Sequence, residues 1–141
     1  MSIAAFGTAP ATSLSAVPAS SAVDPIFAAL QRERETHEAV EIQAKIDDAK
    51  IDEALASRGN VKGSMWWKVV RKIEENGLMQ AHDTWRDAQD DLLTTPPTTI
   101  AGLLAFIAWL LGQPEEGLLP DGWEETALDT IAASIRAMTA A

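Results

Sequence analysis

Hydrophobic positions recur at helical spacing through most of the chain beyond residue 24, and no segment alternates in the manner of a β-strand. The first helical segment begins at Asp24-Pro25. This pair predicts a helix start, because aspartate is a favoured N-cap and proline is favoured at the first helical position. Neither glycine nor proline follows before Ser57. We therefore predict one uninterrupted helix over residues 24–57.

This first helix is apolar on two sides. Its principal stripe, counted at 100° per residue, is interrupted at its edges by Glu33, Asp47 and Asp48. The stripe consists of Ile26, Leu30, His37, Val40, Ala44, Ile51 and Leu55. A second apolar patch lies opposite and consists of Ala39, Ile42, Ile46 and Ala49. Such a helix is either sandwiched between elements of its own chain or offers one side to another chain.

The chain after the first helix carries a stop and then two helical stripes. Gly59-Asn60 ends the first helix, since both residues accept the left-handed conformation that often follows a helix. Ser64 is a suitable N-cap for the next element. The apolar stripe of that element changes direction across Asn76-Gly77, so we predict a break near residues 76–77. A continuous helix with a rotating stripe is the alternative.

A fully apolar segment follows Pro96-Pro97, which ends the preceding helix. Thr98 or Thr99 is expected to cap a helix over 99–111. The apolar run is well short of the about 20 residues that cross a bilayer, so we predict the central helix of a globular core. We expect the core to form around Leu103, Leu104, Phe106, Ile107, Trp109 and Leu110.

The last helix and the overall architecture complete the predicted fold. Asp121 and Glu124 have the spacing of a capping box and predict a helix over 121–139. The fold class is therefore all-α. Helices 24–57 and 64–93 form a long antiparallel helical hairpin, and the two shorter C-terminal helices pack on it to give a helical bundle.

Composition sets the domain organisation and narrows the classes of function. Residues 24–141 are expected to form a single helical domain, whereas residues 1–23 are uncharged, rich in Ala, Ser and Pro, and predict a disordered tail rather than a secretory signal. The formal charge of −10 argues against wholesale wrapping of nucleic acid. The absence of cysteine excludes disulfides and thiolate sites and is typical of a reducing compartment, so we expect a cytoplasmic protein.

Two segments carry a resemblance to a known group of proteins. They are Leu92 to Leu103, LLTTPPTTIAGL, and the helix start Asp24 to Ala29, DPIFAA. The chain resembles small all-helical proteins of alphaproteobacteria that contain PPTT, then Ile or Leu, then Ala-Gly. The resemblance covers residues 24–57 and 78–140 but not residues 58–77. It implies a bacterial, cytoplasmic setting and an all-helical fold, and it implies no activity and no functional residues.

Residues 58–72, RGNVKGSMWWKVVRK, form the sharpest local feature, with five of the eleven basic residues and no acid. Tryptophan among cations suits phosphate contacts with base stacking, or an anionic membrane surface. In the alternative interpretation Trp66 packs inward, and the cations form a solvated face or pair with the acidic first helix. An exposed Trp67 would favour a binding patch. The candidate patch consists of Arg58, Lys62, Trp67, Lys68, Arg71 and Lys72.

Glu33, His37 and Glu41 recur at a spacing that places metal ligands on one helix face. Two histidines and no cysteine are nevertheless a poor set for zinc or iron, so we interpret His37 as a partly buried side chain bonded to a neighbouring carboxylate. The serines cluster in the tail, far in sequence from both histidines, and do not support a nucleophile–base pair. We predict no catalytic residue, no metal site and no cofactor.

These patterns favour a non-enzymatic helical protein-interaction module. We expect it to bind a protein partner or to self-associate as a homo-oligomer through Ala39, Ile42, Ile46 and Ala49. The alternative is a nucleic-acid-associated accessory protein that uses residues 58–72. An enzyme is the least favoured of the three classes.

Overall fold

The computed structural model describes residues 23–58, 64–114 and 119–140, and these residues form helices and connections without a strand. The all-α prediction is confirmed. The helices are α1 (Pro25–Arg58), α2 (Ser64–Asn76), α3 (Leu78–Leu93), α4 (Ile100–Leu111) and α5 (Trp123–Thr139). The predicted disordered tail lies almost entirely outside the described residues and stays a prediction.

Helices α1 and α3 make the most extensive contact among the described helices. Four polar contacts give its direction, because they occur in opposite order along the two segments. From one end of the pair to the other they join Asp47 to Leu78, Glu33 to Trp85, Arg32 to Asp91, and Asp24 to Thr98. The two helices therefore run antiparallel, and α2 contacts both of them.

The predicted break near residues 76–77 is confirmed. Helix α2 ends at Asn76, α3 begins at Leu78, and Gly77 between them has φ −137° and ψ −82°. A Cβ atom at this position would lie 2.5 Å from Gln43 Nε2 and 2.6 Å from Asp47 Oδ1. Any other residue here would have to displace the side chains of Gln43 and Asp47 of α1, so glycine suits this close approach.

The hydrophobic core lies at the N-terminal end of α1, where α3, α4 and α5 meet. Its fully buried members are Ile26, Leu92, Leu93, Phe106 and Ala127. Partly buried side chains packed against them include Leu30, Trp109, Leu110, Trp123 and Ile131. The Asp24 prediction is confirmed at this end, because its Oδ1 accepts a hydrogen bond from Ile26 N at 3.1 Å and so caps α1.

The prediction that α4 is the central helix of the core is wrong for one of its sides. Phe106 is fully buried, and Leu103, Ile107, Trp109 and Leu110 are partly buried. Leu104 and Leu111, however, are 62% and 81% exposed. No described helix is both long enough and apolar enough to cross a membrane.

The outer side of α4 is exposed because α5 packs elsewhere. Two hydrogen bonds hold α5 against the end of α3 and the connection that follows it: Thr130 donates to the Leu93 carbonyl, and Ser134 donates to the Pro97 carbonyl at 2.6 Å. Helix α5 thus covers the proline-containing connection and not the outer side of α4.

Of the two N-caps predicted for the last two helices, one is correct. Thr99 is the N-cap of α4, and its hydroxyl accepts a hydrogen bond from Gly102 N at 3.0 Å. The prediction of a capping box at Asp121 and Glu124 is wrong, because α5 starts at Trp123. Its N-cap is Gly122, which makes no side-chain cap hydrogen bond. Gly122 has φ 77°, a conformation that favours glycine, so the chain enters α5 through a left-handed turn.

Candidate functional site

Three carboxylates on α1 and at its start are buried, and each ties this helix to another element. Asp24, Glu33 and Asp47 are all less than a tenth exposed. Burying a charge is costly unless hydrogen bonds or opposite charges compensate it. Each of the three carboxylates accepts at least two hydrogen bonds, so the partners explain why burial is tolerated.

Asp24 joins the start of α1 to the start of α4. Its Oδ2 accepts hydrogen bonds from Thr98 N at 3.0 Å, Thr99 N at 2.9 Å and Thr99 Oγ1 at 2.7 Å, while Oδ1 caps α1. Burial by itself raises the pKa of this carboxyl. The hydrogen bonds from the Thr99 hydroxyl and from three backbone N–H groups have the greater combined effect, so the pKa lies below its ordinary value.

Gly102 makes this junction possible. A Cβ atom there would overlap the Asp24 carboxylate and lie 2.8 Å from Ile26 Cγ2. The start of α1 therefore packs directly on the first turn of α4.

Glu33 links α1 to two other helices through tryptophan side chains. Its Oε2 accepts a hydrogen bond from Trp85 Nε1 of α3 at 2.8 Å, and its Oε1 accepts one from Trp109 Nε1 of α4 at 3.0 Å. His37 stacks on the Trp85 ring, with centroids 4.5 Å apart and planes 16° apart. Both indole N–H groups are thus satisfied by one carboxylate.

This arrangement explains the metal-like spacing of Glu33, His37 and Glu41. The oxygens of Glu33 are directed at tryptophans, and Nε2 of His37 lies 3.7 Å from Glu41 Oε2, which is longer than a hydrogen bond. Within the described ranges, no group of three potential His, Cys, Asp or Glu ligands is gathered in one place. Glu33 and His37 therefore take part in packing against the tryptophans, whereas Glu41 is exposed.

Asp47 organises the break between α2 and α3. Its Oδ2 accepts a hydrogen bond from Leu78 N at 2.9 Å, and its Oδ1 accepts one from Gln43 Nε2 at 2.8 Å. The carboxylate thus satisfies one of the free N–H groups at the start of α3 from a distant part of the chain. A negative charge at this helix end is also favoured by the helix dipole.

The predicted oligomer face on α1 is exposed. Ile42 and Ile46 are 52% and 42% exposed, and Ala39 and Ala49 are also exposed. These four residues, here called the seam, are spaced by three, four and three positions, which is the a/d spacing of a coiled coil. Among the described residues nothing sandwiches this side of α1.

The predicted basic patch is exposed where it can be described. Trp67 is 72% exposed, and Lys68, Arg71 and Lys72 are exposed beside it on α2. Trp66 is partly buried, as expected if it packs inward. Lys62 and the side chain of Arg58 lie outside the described residues.

A shallow cavity of about 520 Å³ lies next to Trp67, here called the Trp67 groove. It is lined by Trp67, Lys68, Val70, Arg71, Glu74 and Met79. The two ion pairs of the described residues are Arg32 with Asp91 and His37 with Glu41. Within the described residues the cations of α2 therefore form no ion pair with carboxylates of α1, which was one part of the alternative interpretation. The other part, a solvated face with Trp66 packed inward, stays a prediction.

The sequence pattern shows two of the buried carboxylates but not their role. Glu33 and Asp47 interrupt the apolar stripe, and a carboxylate at the edge of a buried stripe indicates an interior partner. Trp85 and Leu78, the partners, lie 52 and 31 residues away in the chain. No local pattern links positions so far apart.

Comparison with family models, with curated proteins and with solved structures finds no match to this chain. The resemblance of residues 92–103 to alphaproteobacterial proteins therefore stays a prediction. A function for this chain is therefore argued from the chemistry of its described surfaces.

Proposed function

We propose that this protein is a non-enzymatic interaction module that self-associates through the seam on α1. In this proposal the antiparallel pair of α1 and α3 is a rigid hairpin that holds the seam outward. The observation that carries the proposal is the exposure of all four seam residues, Ala39, Ile42, Ile46 and Ala49, at coiled-coil spacing.

A second copy of the chain is the occupant that this surface fits best. Apolar residues at a/d spacing pack against a helix with the same spacing, and a symmetric dimer brings identical patches together. Four charged residues beside the seam, Glu38, Lys45, Lys50 and Asp52, sum to zero, although the whole chain carries −10. Glu35 and Glu53 lie on the same stripe beyond its two ends, so they limit the apolar contact to the four seam residues.

The seam is short, so the association it supports is weak. Its two large side chains, Ile42 and Ile46, already have about half of their surface covered within the chain. We expect a dissociation constant between about 10 µM and 1 mM, which corresponds to about 4–7 kcal/mol.

Sedimentation equilibrium of the full chain over this concentration range tests the proposal. The wild type should pass from monomer to dimer, and the double variant Ile42→Gln with Ile46→Gln should stay monomeric. The matched control, Leu104→Gln with Leu111→Gln, alters another exposed apolar face and should dimerise like the wild type. A wild type that stays monomeric at 1 mM (roughly the weak end of the expected range), or a seam variant that still dimerises, would overturn the proposal.

A second candidate function is favoured by one specific observation, the exposure of Trp67 beside Lys68 and Arg71. An indole face takes a stacked base, and cations along the same helix take the phosphates of a single strand. A membrane surface fits less well. The apolar side of α2, with Trp66 and Ile73, is partly buried, so Trp67 does not belong to a continuous exposed apolar face.

Tryptophan fluorescence with a single-stranded oligothymidine distinguishes these possibilities. Salt-sensitive quenching is expected in the wild type and in Trp66→Phe, whereas Trp67→Phe should lose it. Lys68→Gln with Arg71→Gln should weaken the binding and flatten its salt dependence. Unchanged quenching in Trp67→Phe would remove the groove as the site. A blue shift with anionic phospholipid vesicles but no response to DNA would assign α2 to membranes.

A further inference from the structure

A second cavity lies on α3, away from both the seam and the Trp67 groove. Its volume is about 430 Å³, and it is bounded by one face of α3 and by the turn that leads into α5. Its lining includes His82, Trp85, Arg86, Gln89, Pro120 and Asp121. The four α3 residues are spaced by three, one and three positions, so they share one helix face.

Gln89 forms the buried part of this cavity, and its amide is the unusual feature. The side chain is 1% exposed, and Nε2 has no hydrogen-bond partner among the described residues. Buried polar groups in proteins are nearly always hydrogen-bonded, and an unpaired donor destabilises the fold. The nitrogen itself exposes almost no surface, so a ligand acceptor satisfies it once the amide turns toward the cavity.

The rest of the cavity adds a cation and a fixed aromatic wall. Arg86 lies three positions before Gln89 and is exposed, and neither ion pair of the described residues involves it. Trp85 is held in place from behind, because Glu33 binds its indole N–H and His37 stacks on its ring. The wall is thus positioned before any ligand arrives, which lowers the entropic cost of binding.

We propose that this cavity binds a small organic carboxylate. One carboxylate oxygen accepts from Nε2 of Gln89, and the guanidinium of Arg86 pairs with the carboxylate as a planar fork. The apolar body of the ligand lies against Trp85 and Pro120. The cavity volume fits a molecule of about the size of benzoate or of an amino acid, at the small end of ligand pockets.

Two other ligand classes fit the same groups less well. A metal cation would meet an unpaired donor at Gln89 and the charge of Arg86, with Asp121 as the single carboxylate of the lining. A neutral amide could accept from Gln89, but it would leave the guanidinium without its charged partner. The pair of Gln89 and Arg86 therefore favours a carboxylate, held on the α3 side of the cavity and away from the like charge of Asp121 on the turn.

The test uses the full ¹⁵N-labelled chain, with sodium benzoate as the probe and benzamide as its neutral match. Benzoate should shift the side-chain NH₂ signals of Gln89 in a saturable way, and benzamide should bind at least roughly tenfold more weakly, as expected for loss of a charge-assisted hydrogen bond. Arg86→Met, at the exposed rim, should lose a similar factor of affinity without loss of helix content.

Gln89→Met supplies a readout that a purely structural role would not give. Methionine has a similar shape but no donor, so the free variant should melt at a higher temperature than the wild type while its benzoate binding is lost. Three results would overturn the proposal: no saturable shift with benzoate, equal binding of benzamide, or a Gln89→Met protein that binds benzoate like the wild type. A lower melting temperature in Gln89→Met would show that the amide has a partner within the fold, and this too would overturn it.

Discussion

The inner and outer sides of α1 each hold residues that depart from the usual distribution of polarity. The inner side buries Glu33 and Asp47, and Asp24, the N-cap of the helix, is buried as well. The outer side exposes Ile42 and Ile46. Burial in this helix follows the availability of partners more closely than the polarity of the side chain. The acids are inside because each meets donors fixed by another helix, and the isoleucines are outside because the described chain supplies nothing to cover them.

The difference assigns separate tasks to the two sides. A carboxylate that must meet two donors tolerates little displacement, so the inner side specifies where α3 and α4 lie. An apolar seam at coiled-coil spacing has no such role within the monomer. We therefore expect changes on the inner side to alter stability and changes on the outer side to alter association.

The strongest test of the inner side is the removal of the Glu33 carboxylate. Glu33→Ala leaves the indole N–H groups of Trp85 and Trp109 without their acceptor, so we expect a loss of about 2–4 kcal/mol in the free energy of unfolding. Urea unfolding followed by circular dichroism measures it. Glu53→Ala changes an exposed glutamate of the same helix and should stay within about 0.5 kcal/mol of the wild type. Equal losses in the two variants would refute the role of Glu33.

The contact between α1 and α4 is tested next by Gly102→Ala. The added methyl group overlaps the Asp24 carboxylate and Ile26, so we expect a loss of about 1–3 kcal/mol even though alanine favours helix. The same urea measurement applies. Gly112→Ala is the matched control at the opposite end of the same helix, where the nearest atom to an added Cβ lies 3.5 Å away, and it should change stability by less than about 0.5 kcal/mol. A stabilised Gly102→Ala protein would show that α1 does not approach α4 this closely.

A smaller effect is expected from the titration of Asp24. Its pKa is lower in the folded chain than the ordinary value of 3.8, so its charged form adds stability above that pH. This contribution is lost as the pH falls through the folded pKa. Urea midpoints measured from pH 7 to about pH 2.5 should therefore fall more steeply in the wild type than in Asp24→Asn. Asp52→Asn, at an exposed position of α1, should keep the steep fall, and a steep fall in Asp24→Asn as well would assign the effect to other groups.

Much of the fold follows from local residue chemistry. Pro25 marks the start of α1, Thr99 caps α4, and Gly77 marks the break between α2 and α3, because each residue imposes a backbone conformation where it stands. The error at Asp121 has the same kind of cause. The spacing of a capping box was present, but Gly122 provided a left-handed turn that placed the helix start two residues later.

The candidate surfaces were only partly predictable. The seam and the exposure of Trp67 follow from the helical arrangement of side chains, which sequence supplies. The burial of α4 was overestimated because a helix that is apolar all round has no periodicity to show which side faces the core. The roles of Glu33 and Asp47 depend on hydrogen-bond partners in distant segments, and the role of Gln89 depends on the lack of such a partner. The local sequence pattern contains neither kind of information.

The central claim is that the inner side of α1 determines stability and the outer side determines association. The most direct test is to measure both properties on one variant, Ile42→Gln with Ile46→Gln. At a concentration where the wild type is monomeric, its melting temperature should lie within about 2 °C of the wild type, as expected for exposed positions. At high concentration it should fail to form the wild-type dimer in sedimentation equilibrium. A variant that melts much lower while associating like the wild type would contradict the account.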